Sequence, residues 1–276
     1  MSSGYAITNL LTGLAATAFT WSSAFTTGRS RLNDGVMDEV AAGSSSAQVS
    51  GQTLVVDLGS AQAVVATALL NHNLATGACT VRVRAADDAA ITTNVVTAKA
   101  ATTINTSAPY EKDTVLQFPS VTKRYWEFTF VHTGTKTVRL GELLFFGAVT
   151  TLTRQTIYGA GESERFFLNK NEGQVGHVRS TYLGGPARTM RLPFKDLRGT
   201  SERNEIMTMW RTAQGGNKNL LYIEDIDSVS TAGDAESQQC LWGKLQQELG
   251  WAQTDYLLFD PDNALVLTGQ GREVGA

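Results

Sequence analysis

The chain has 276 residues, 42% of them hydrophobic and 18% charged, with 23 basic against 26 acidic side chains and a formal charge of −3. That length suits one large core or two ordinary ones, and near-normal hydrophobic content with scarce proline argues against wholesale disorder. The charge excludes the basic excess from which nucleic-acid binders draw affinity. Two cysteines far apart, Cys79 and Cys240, make neither a disulfide framework nor a zinc cluster.

Residues 1–24 form an N-terminal segment that is mildly apolar, with Tyr5, Ile7, Leu10, Leu11, Leu14 and Phe19. Its first basic residue is Arg29, so it lacks the basic region of a signal peptide. No apolar run approaches the roughly 18–20 residues that cross a bilayer. The expectation is a protein made and kept in a cytoplasm until it assembles.

From residue 25 to 149 the apolar runs are short and β-branched: Leu54-Val55-Val56, Val64 to Leu70, Val81-Arg82-Val83, Val95-Val96, Tyr125 to Val131 and Leu143 to Phe146. Turn signals such as Asn33-Asp34-Gly35, Thr76-Gly77 and Thr133-Gly134 separate them, the pattern of an antiparallel sandwich or jelly roll. Thr92 to Pro109, polar and Thr-rich, reads as a long exposed loop or an edge region. In Arg124-Tyr125-Trp126-Glu127-Phe128 the faces alternate, so at least one of Tyr125 and Trp126 belongs to the core. Trp21, Trp242 and Trp251 stay undecided between core and surface.

Gly147 to Thr153 marks a boundary. Residues 1–150 carry 10 basic and 10 acidic groups, residues 151–276 carry 13 and 16, so the second half is the more acidic one. Strands are expected at Arg165 to Leu168, His177 to Tyr182 and Arg188 to Phe194, where Arg188 to Leu192 alternates. One helix is predicted over 200–214, capped by Thr200 or Ser201, with Ile206, Met209 and Trp210 on one face and Gly215-Gly216 ending it. Strands follow at Leu220 to Ile223, Cys240 to Leu245, Tyr256 to Phe259 and Leu265 to Leu267, with a polar loop from Asp225 to Glu236. The predicted class is mainly β, a jelly-roll sandwich over 25–149 followed over 150–276 by a second β-sandwich or barrel with one helix.

Catalytic signatures are missing: there is no nucleophile elbow, metalloprotease helix or phosphate loop. Gly159-Ala160-Gly161 and Gly269-Gln270-Gly271 are fragments of glycine-rich patterns without a strand before and a helix after. Of the three histidines, His72 stands between Asn71 and Asn73 at a strand end, where an imidazole satisfies local backbone groups; His132 and His177 lie in strand-like runs. Asp87-Asp88 and Asp225/Asp227 read as solvated loop carboxylates, because a cation needs several converging oxygen ligands. Glu162/Glu164 are paired only by proximity in sequence. Asn33-Asp34-Gly35 is a tight turn whose oxygens can also face a hard cation if a distant carboxylate, Glu142 in Gly141-Glu142-Leu143, closes the site.

Taken in order, Leu32-Asn33-Asp34-Gly35, Leu54-Val55-Val56-Asp57-Leu58-Gly59, Val81-Arg82-Val83, Arg124-Tyr125-Trp126 and Gly141 to Gly147 resemble the discoidin or galactose-binding-like jelly roll over about residues 25–147. Leu69-Leu70-Asn71-His72-Asn73-Leu74 after the Asp-Leu-Gly strand is similar to the version in tail proteins of bacterial viruses. In calcium-binding relatives the turn and the late Glu supply ligands, which implies a calcium-type site at Asn33, Asp34 and Glu142. The segment 36–50 lacks the Trp of sugar-binding members. Arg191-Leu192-Pro193-Phe194, the helix with Trp210, Leu220 to Ile223 and Leu241-Trp242-Gly243-Lys244-Leu245 resemble the tail-tube-related β-sandwich of distal and minor tail proteins.

The resemblance implies a non-enzymatic structural virion protein of the tail tip of a long-tailed phage, of the distal tail or adaptor type. Its second domain would form a homo-oligomeric ring, a hexamer or a trimer, joining tail tube to tip beside hub and tape-measure proteins. The sandwich would project outward for protein packing or contact with host-surface glycans, with no resident cofactor beyond calcium. The alternative is the carbohydrate-binding module of a glycan-active protein, whose hydrolase would need two flanking carboxylates. A secreted adhesin would need an export signal.

Overall fold

The computed structural model describes residues 3–22, 28–34, 41–42, 51–74, 79–104, 113–133, 137–153, 161–172, 178–192, 194, 197–223, 240–245, 251–255, 258–261 and 265–271. In chain order its first strands are β1 (Ser3–Ala6), β2 (Phe19–Trp21), β3 (Ala41–Ala42), β4 (Gln52–Leu70), β5 (Thr80–Ala86), β6 (Val96–Thr103), β7 (Asp113–Val131), β8 (Arg139–Leu140) and β9 (Glu142–Phe146). Then come β10 (Thr150–Leu152), β11 (Gly161–Glu172), β12 (Val178–Leu192), β13 (Leu197–Arg198), the helix α1 (Gly199–Thr212), β14 (Leu220–Ile223), β15 (Cys240–Leu245), β16 (Trp251–Asp255), β17 (Leu258–Pro261) and β18 (Leu265–Gly271). The protein is mainly β, with sandwich sheets and one α-helix among the described residues.

Two 19-residue strands, β4 and β7, build the sandwich by running through both of its sheets. The sequence shows Leu54–Val56 and Val64–Leu70 as separate runs, yet they belong to one bent strand. The bend falls between Asp57 and Gln62, where the pairing register with β7 shifts. Gly59 takes φ +77 there and donates its N–H to Asp57 Oδ1 at 2.8 Å. A side chain disfavours that backbone region, so glycine permits the bend. The first part of β4 pairs with β2 and the last part of β7 with β5, which pairs in turn with β6; the last part of β4 pairs with β9. The Thr-rich stretch after Thr92 supplies the edge strand β6.

The inward residues of both sheets meet around Trp126, which is fully buried. Its ring stacks on Phe118 at 5.8 Å and meets Phe145 edge-on at 5.6 Å, and its Nε1 donates to the Lys123 carbonyl. Tyr125, its neighbour, faces outward under the Arg124 guanidinium. The alternation is the reason: one residue of the pair must enter the core.

The second half adds a seven-stranded antiparallel sheet ordered β10-β1-β14-β15-β18-β12-β11. The N-terminal segment, set apart in the sequence, is divided: β1 pairs with β14 and β10 of this sheet, while β2 pairs with β4 of the sandwich. One face of the sheet carries α1, with Ile206, Met209 and Ala213 against Tyr5, Leu220, Tyr222 and Leu267. The helix ends at Thr212, two residues short of the predicted end, and the chain turns away through Gln214, Gly215 and Gly216, at φ +53, +61 and +93. A Cβ on Gly216 would lie 1.8 Å from the Leu245 carbonyl oxygen, so that turn is pressed onto β15.

The other face packs on the sandwich. Ala66, Ala68, Leu70, Val115, Leu144 and Phe146 interleave with Ala6, Leu221, Ile223, Cys240 and Trp242 in one apolar seam. Phe146 and Trp242 meet with ring centroids 6.0 Å apart. A large aromatic removed from such a seam leaves a cavity costing about 3–5 kcal/mol. Phe146→Ala is therefore expected to lower Tm by about 6 °C or more, at about 2–4 °C per kcal/mol for a chain of this size. Scanning calorimetry should show wild type melting in one transition; two separate transitions would refute a shared core.

Candidate functional site

A cleft of about 450 Å³ opens where the sandwich meets the second sheet. Its floor is the connection after β1, through Ile7, Thr8, Asn9 and Thr12. Asn9 pins that connection: its Oδ1 accepts from Leu11 N–H at 3.1 Å and Phe145 N–H at 3.0 Å. Leu10 N–H adds a bond to the Phe145 carbonyl at 2.9 Å.

The sandwich wall carries Asn33, Asp34 and Glu142, the three residues singled out in the sequence, which the fold brings to the same cleft. A left-handed Gly28 starts the short helical turn Arg29–Leu32, and Asn33 follows it. Asn33 spends its Nδ2 on the carbonyls of Leu11 and Leu14, both at 2.9 Å, and so has its Oδ1 to offer as an acceptor. Asp34 is exposed, while Glu142 at the start of β9 is only 2% exposed. Two carboxylates and one amide oxygen are the hard donors that calcium takes, and they fit part of its six-to-eight-oxygen shell.

The opposite wall belongs to the second half: Lys218, Asn219 and Trp242. Lys218 follows α1 with its N–H on the Ala213 carbonyl. Trp242 comes from β15 and is 6% exposed, so this tryptophan, like Trp21 at 4%, is buried rather than surface-displayed. Trp251 lies in β16, and its side chain is outside the described residues. The sequence marks Lys218 and Asn219 by nothing and leaves Trp242 undecided between core and surface, since only the seam carries them to the carboxylates. A second cleft of similar volume, lined in part by Tyr5, Thr150 and Thr208, holds no carboxylate, histidine or cysteine. Burial there raises the Tyr5 phenol above its usual range, against a hydrogen bond with Thr150.

Two of the remaining candidates, His72 and His132, make buried contacts within the sandwich. His72 accepts from Leu74 N–H at Nδ1, 3.2 Å, which leaves its Nε2 to donate to Thr114 Oγ1 at 2.8 Å. The imidazole thus serves the local backbone, as its place at a strand end suggests. His132 is 6% exposed and meets the Gln52 amide at 3.2 Å. His177 and Asp225/Asp227 lie outside the described residues, and Glu162 and Glu164 are placed only by backbone, two apart on β11. Gly269 to Gly271 lies within β18, so that glycine pair is strand and not a phosphate loop. Among the described residues no three of His, Cys, Asp and Glu gather as metal ligands.

On the sandwich's outer surface, carboxylates are held by neighbours. Asp88 accepts from the Thr93 N–H, the Thr92 hydroxyl and the Thr92 N–H, which together bring its pKa to about 2. Asp57 pairs both oxygens with Arg124 at 2.7 and 2.8 Å, and that pair, with the Gly59 N–H, lowers its pKa below the usual carboxylate value. A depressed folded-state pKa stabilises at pH above the unfolded value of about 4 and is lost as pH falls through the lower one. Both partners are partly exposed, 31% and 43%, so solvent screens the pair and its contribution is small. Asp57→Asn should lower Tm by about 1–2 °C at pH 7 and by less as pH falls through the lowered Asp57 value; an equal loss at both ends would contradict the ion pair.

No protein-family model matches the chain, and no curated protein matches it. Solved structures do. Chitosan-binding module 1 of a chitosanase/glucanase from Paenibacillus sp. IK-5 is 24% identical with a TM-score of 0.40, covering 51% of this chain and 99% of the module. A fucose-binding module of Streptococcus pneumoniae is 18% identical with a TM-score of 0.39, covering 51% and 96%. The lectin domain of lectinolysin, in complex with Lewis B antigen, is 19% identical with a TM-score of 0.38, covering 51% and 97%. About half of this chain accounts for nearly the whole of each.

Proposed function

We propose that the protein is a non-catalytic carbohydrate-binding protein, a galactose-binding-like sandwich docked on a second β unit, that holds a saccharide in the seam cleft. The observation that supports this is the lining: a tryptophan, three amides, two threonines, two carboxylates and a lysine converge on one cleft. Sugars present many hydroxyls, so they are held by such convergent sets of polar groups. Calcium at Asn33, Asp34 and Glu142 would belong to this reading, ordering the sandwich wall.

A glycan array followed by isothermal titration tests it. Wild type should bind at least one saccharide, and Asp34→Ala should weaken that binding about tenfold, the loss of one charge-assisted hydrogen bond. The absence of any glycan binding overturns the reading. Millimolar calcium should raise the wild-type Tm and leave that of Asp34→Ala unmoved; a wild type indifferent to calcium and to chelator removes the metal.

A second reading, a ring subunit at the tail tip of a long-tailed phage, is favoured by a different observation. β11 pairs with β12 from Gly161↔Arg191 to Glu172↔Val178, whereas β12 pairs with β18 only from Ala187 to Leu192. Among the described residues, therefore, the outer part of this hairpin is a two-stranded ribbon. Such ribbons are marginal alone, and their unpaired edges are templates for another chain. In this reading copies of the chain close into a ring of six or three in the virion, against tail-tube, hub and tape-measure proteins, with the sandwich turned toward host glycans. Light scattering over a concentration series should show a hexamer or trimer, and shortening the hairpin should reduce it to monomer; an unchanged mass after shortening refutes a role for the ribbon.

A further inference from the structure

Along β5 and the last part of β7 the outward charges are matched, with one exception. Glu127 Oε1 accepts from Arg84 Nε at 2.9 Å and Nη2 at 2.6 Å, both Asp57 oxygens accept from Arg124, and Asp87 Oδ1 accepts from Lys123 at 2.8 Å. Among the described residues Arg82 has no carboxylate beside it, and its guanidinium makes a single hydrogen bond, from Nη2 to the neutral Thr129 hydroxyl at 3.3 Å. Val81 and Val83 enter the sandwich core on either side, so alternation turns Arg82 onto the outer face, where it is half-buried. Ionised groups drawn even partly out of water are ordinarily paired, and a guanidinium cannot shed its charge. Its Nε is sealed, so the Nη edge is the one a ligand meets. Thr129 donates its own hydroxyl to Glu127 Oε1 at 3.1 Å, which leaves its oxygen to accept from Arg82 and fixes the direction of the fork. The neighbouring strand leaves room. Thr102 pairs with Val81 and Lys99 with Val83, so β6 bulges and sets the small, exposed Ala100 and Ala101 together opposite Arg82.

We infer that this outer face binds an acidic polysaccharide, whose carboxylate or sulfate accepts from the Arg82 guanidinium while its hydroxyls meet Thr53 and Thr80. A guanidinium fork matches either oxyanion with two parallel hydrogen bonds. Thr53, Thr129 and Arg82 stand in one row across β4, β7 and β5. Thr80 lies two residues before Arg82 on β5 and so on the same face. The row offers one cation and hydroxyls with no apolar anchor, which suits a glycan chain better than the aromatic hot spots through which proteins dock. Arg84, Arg124 and Lys123 are engaged by their own carboxylates, so Arg82 sets the requirement for negative charge. The face shares no residue with the seam cleft, so the two sites stand or fall separately.

The test titrates the full chain by calorimetry with tetragalacturonate for carboxylate, a κ-carrageenan tetrasaccharide for sulfate, and a tetraglutamate peptide. At least one of the two acidic oligosaccharides should bind, and which one binds names the oxyanion. Arg82→Gln should weaken that binding about tenfold, the loss of a charge-assisted hydrogen bond. Its Tm should stay within about 2 °C of wild type, since no ion pair is lost from the free protein. Thr80→Glu places a carboxylate on the same face within reach of Arg82, so it should compete with the ligand, weaken binding about tenfold and leave Tm no lower. This variant carries the test if Arg82→Gln fails to fold. If neither acidic oligosaccharide binds, or if one binds wild type and both variants equally, the inference is overturned. Binding of the glutamate peptide alone, lost in Arg82→Gln, would also overturn it and name an acidic protein as the partner.

Discussion

Everything in this molecule hangs on one layer that is buried on both faces. Leu143, Leu144, Phe145 and Phe146 of β9 are all fully buried. Leu143 and Phe145 enter the sandwich core, while Leu144 and Phe146 enter the seam with the second sheet. A strand with one solvated face alternates apolar and polar; this one cannot, because hydrocarbon lies on both sides. At roughly 1.5–3 kcal/mol for each such side chain buried, the layer contributes to both halves at once. The two units are consequently parts of one stack, running from the outer sandwich sheet through the double-faced layer and the seven-stranded sheet to α1.

The cleft is a product of that stack. Apolar surfaces cover the middle of the seam, and at its margin the chain after β1, the turn at Asn33-Asp34 and the turn after α1 come together. Each of these segments is fixed by backbone-directed bonds: Asn9 and Asn33 to main-chain groups around Leu11, and Gly216 by its close approach to Leu245. The polar groups that line the cleft therefore sit on supports that are ordered before a ligand arrives, which lowers the entropic cost of binding.

Much of the fold was legible because it follows from local periodicity and turn chemistry. The β-rich class, the helix near 200–214, Leu220–Ile223, Cys240–Leu245 and a core place for at least one of Tyr125 and Trp126 each follow from alternation, spacing or glycine. The bend that makes one strand of Leu54–Val56 and Val64–Leu70 was not legible, since a register shift at Asp57–Gln62 exists only relative to β7. Nor was the division of residues 1–24, because strand pairing between Tyr5 and Tyr222 spans most of the chain.

The sequence by itself determined the hard-donor turn Asn33-Asp34 and a distant carboxylate, Glu142, since residue type and turn signals are local properties. Whether they would share a site was decided by tertiary structure alone, through contacts more than 100 residues apart in the chain. The same holds more strongly for Lys218, Asn219 and Trp242. Their types are ordinary in a β-rich domain, and what sets them opposite the carboxylates is the packing of Phe146 on Trp242, a long-range apolar contact for which neither residue carries a local mark.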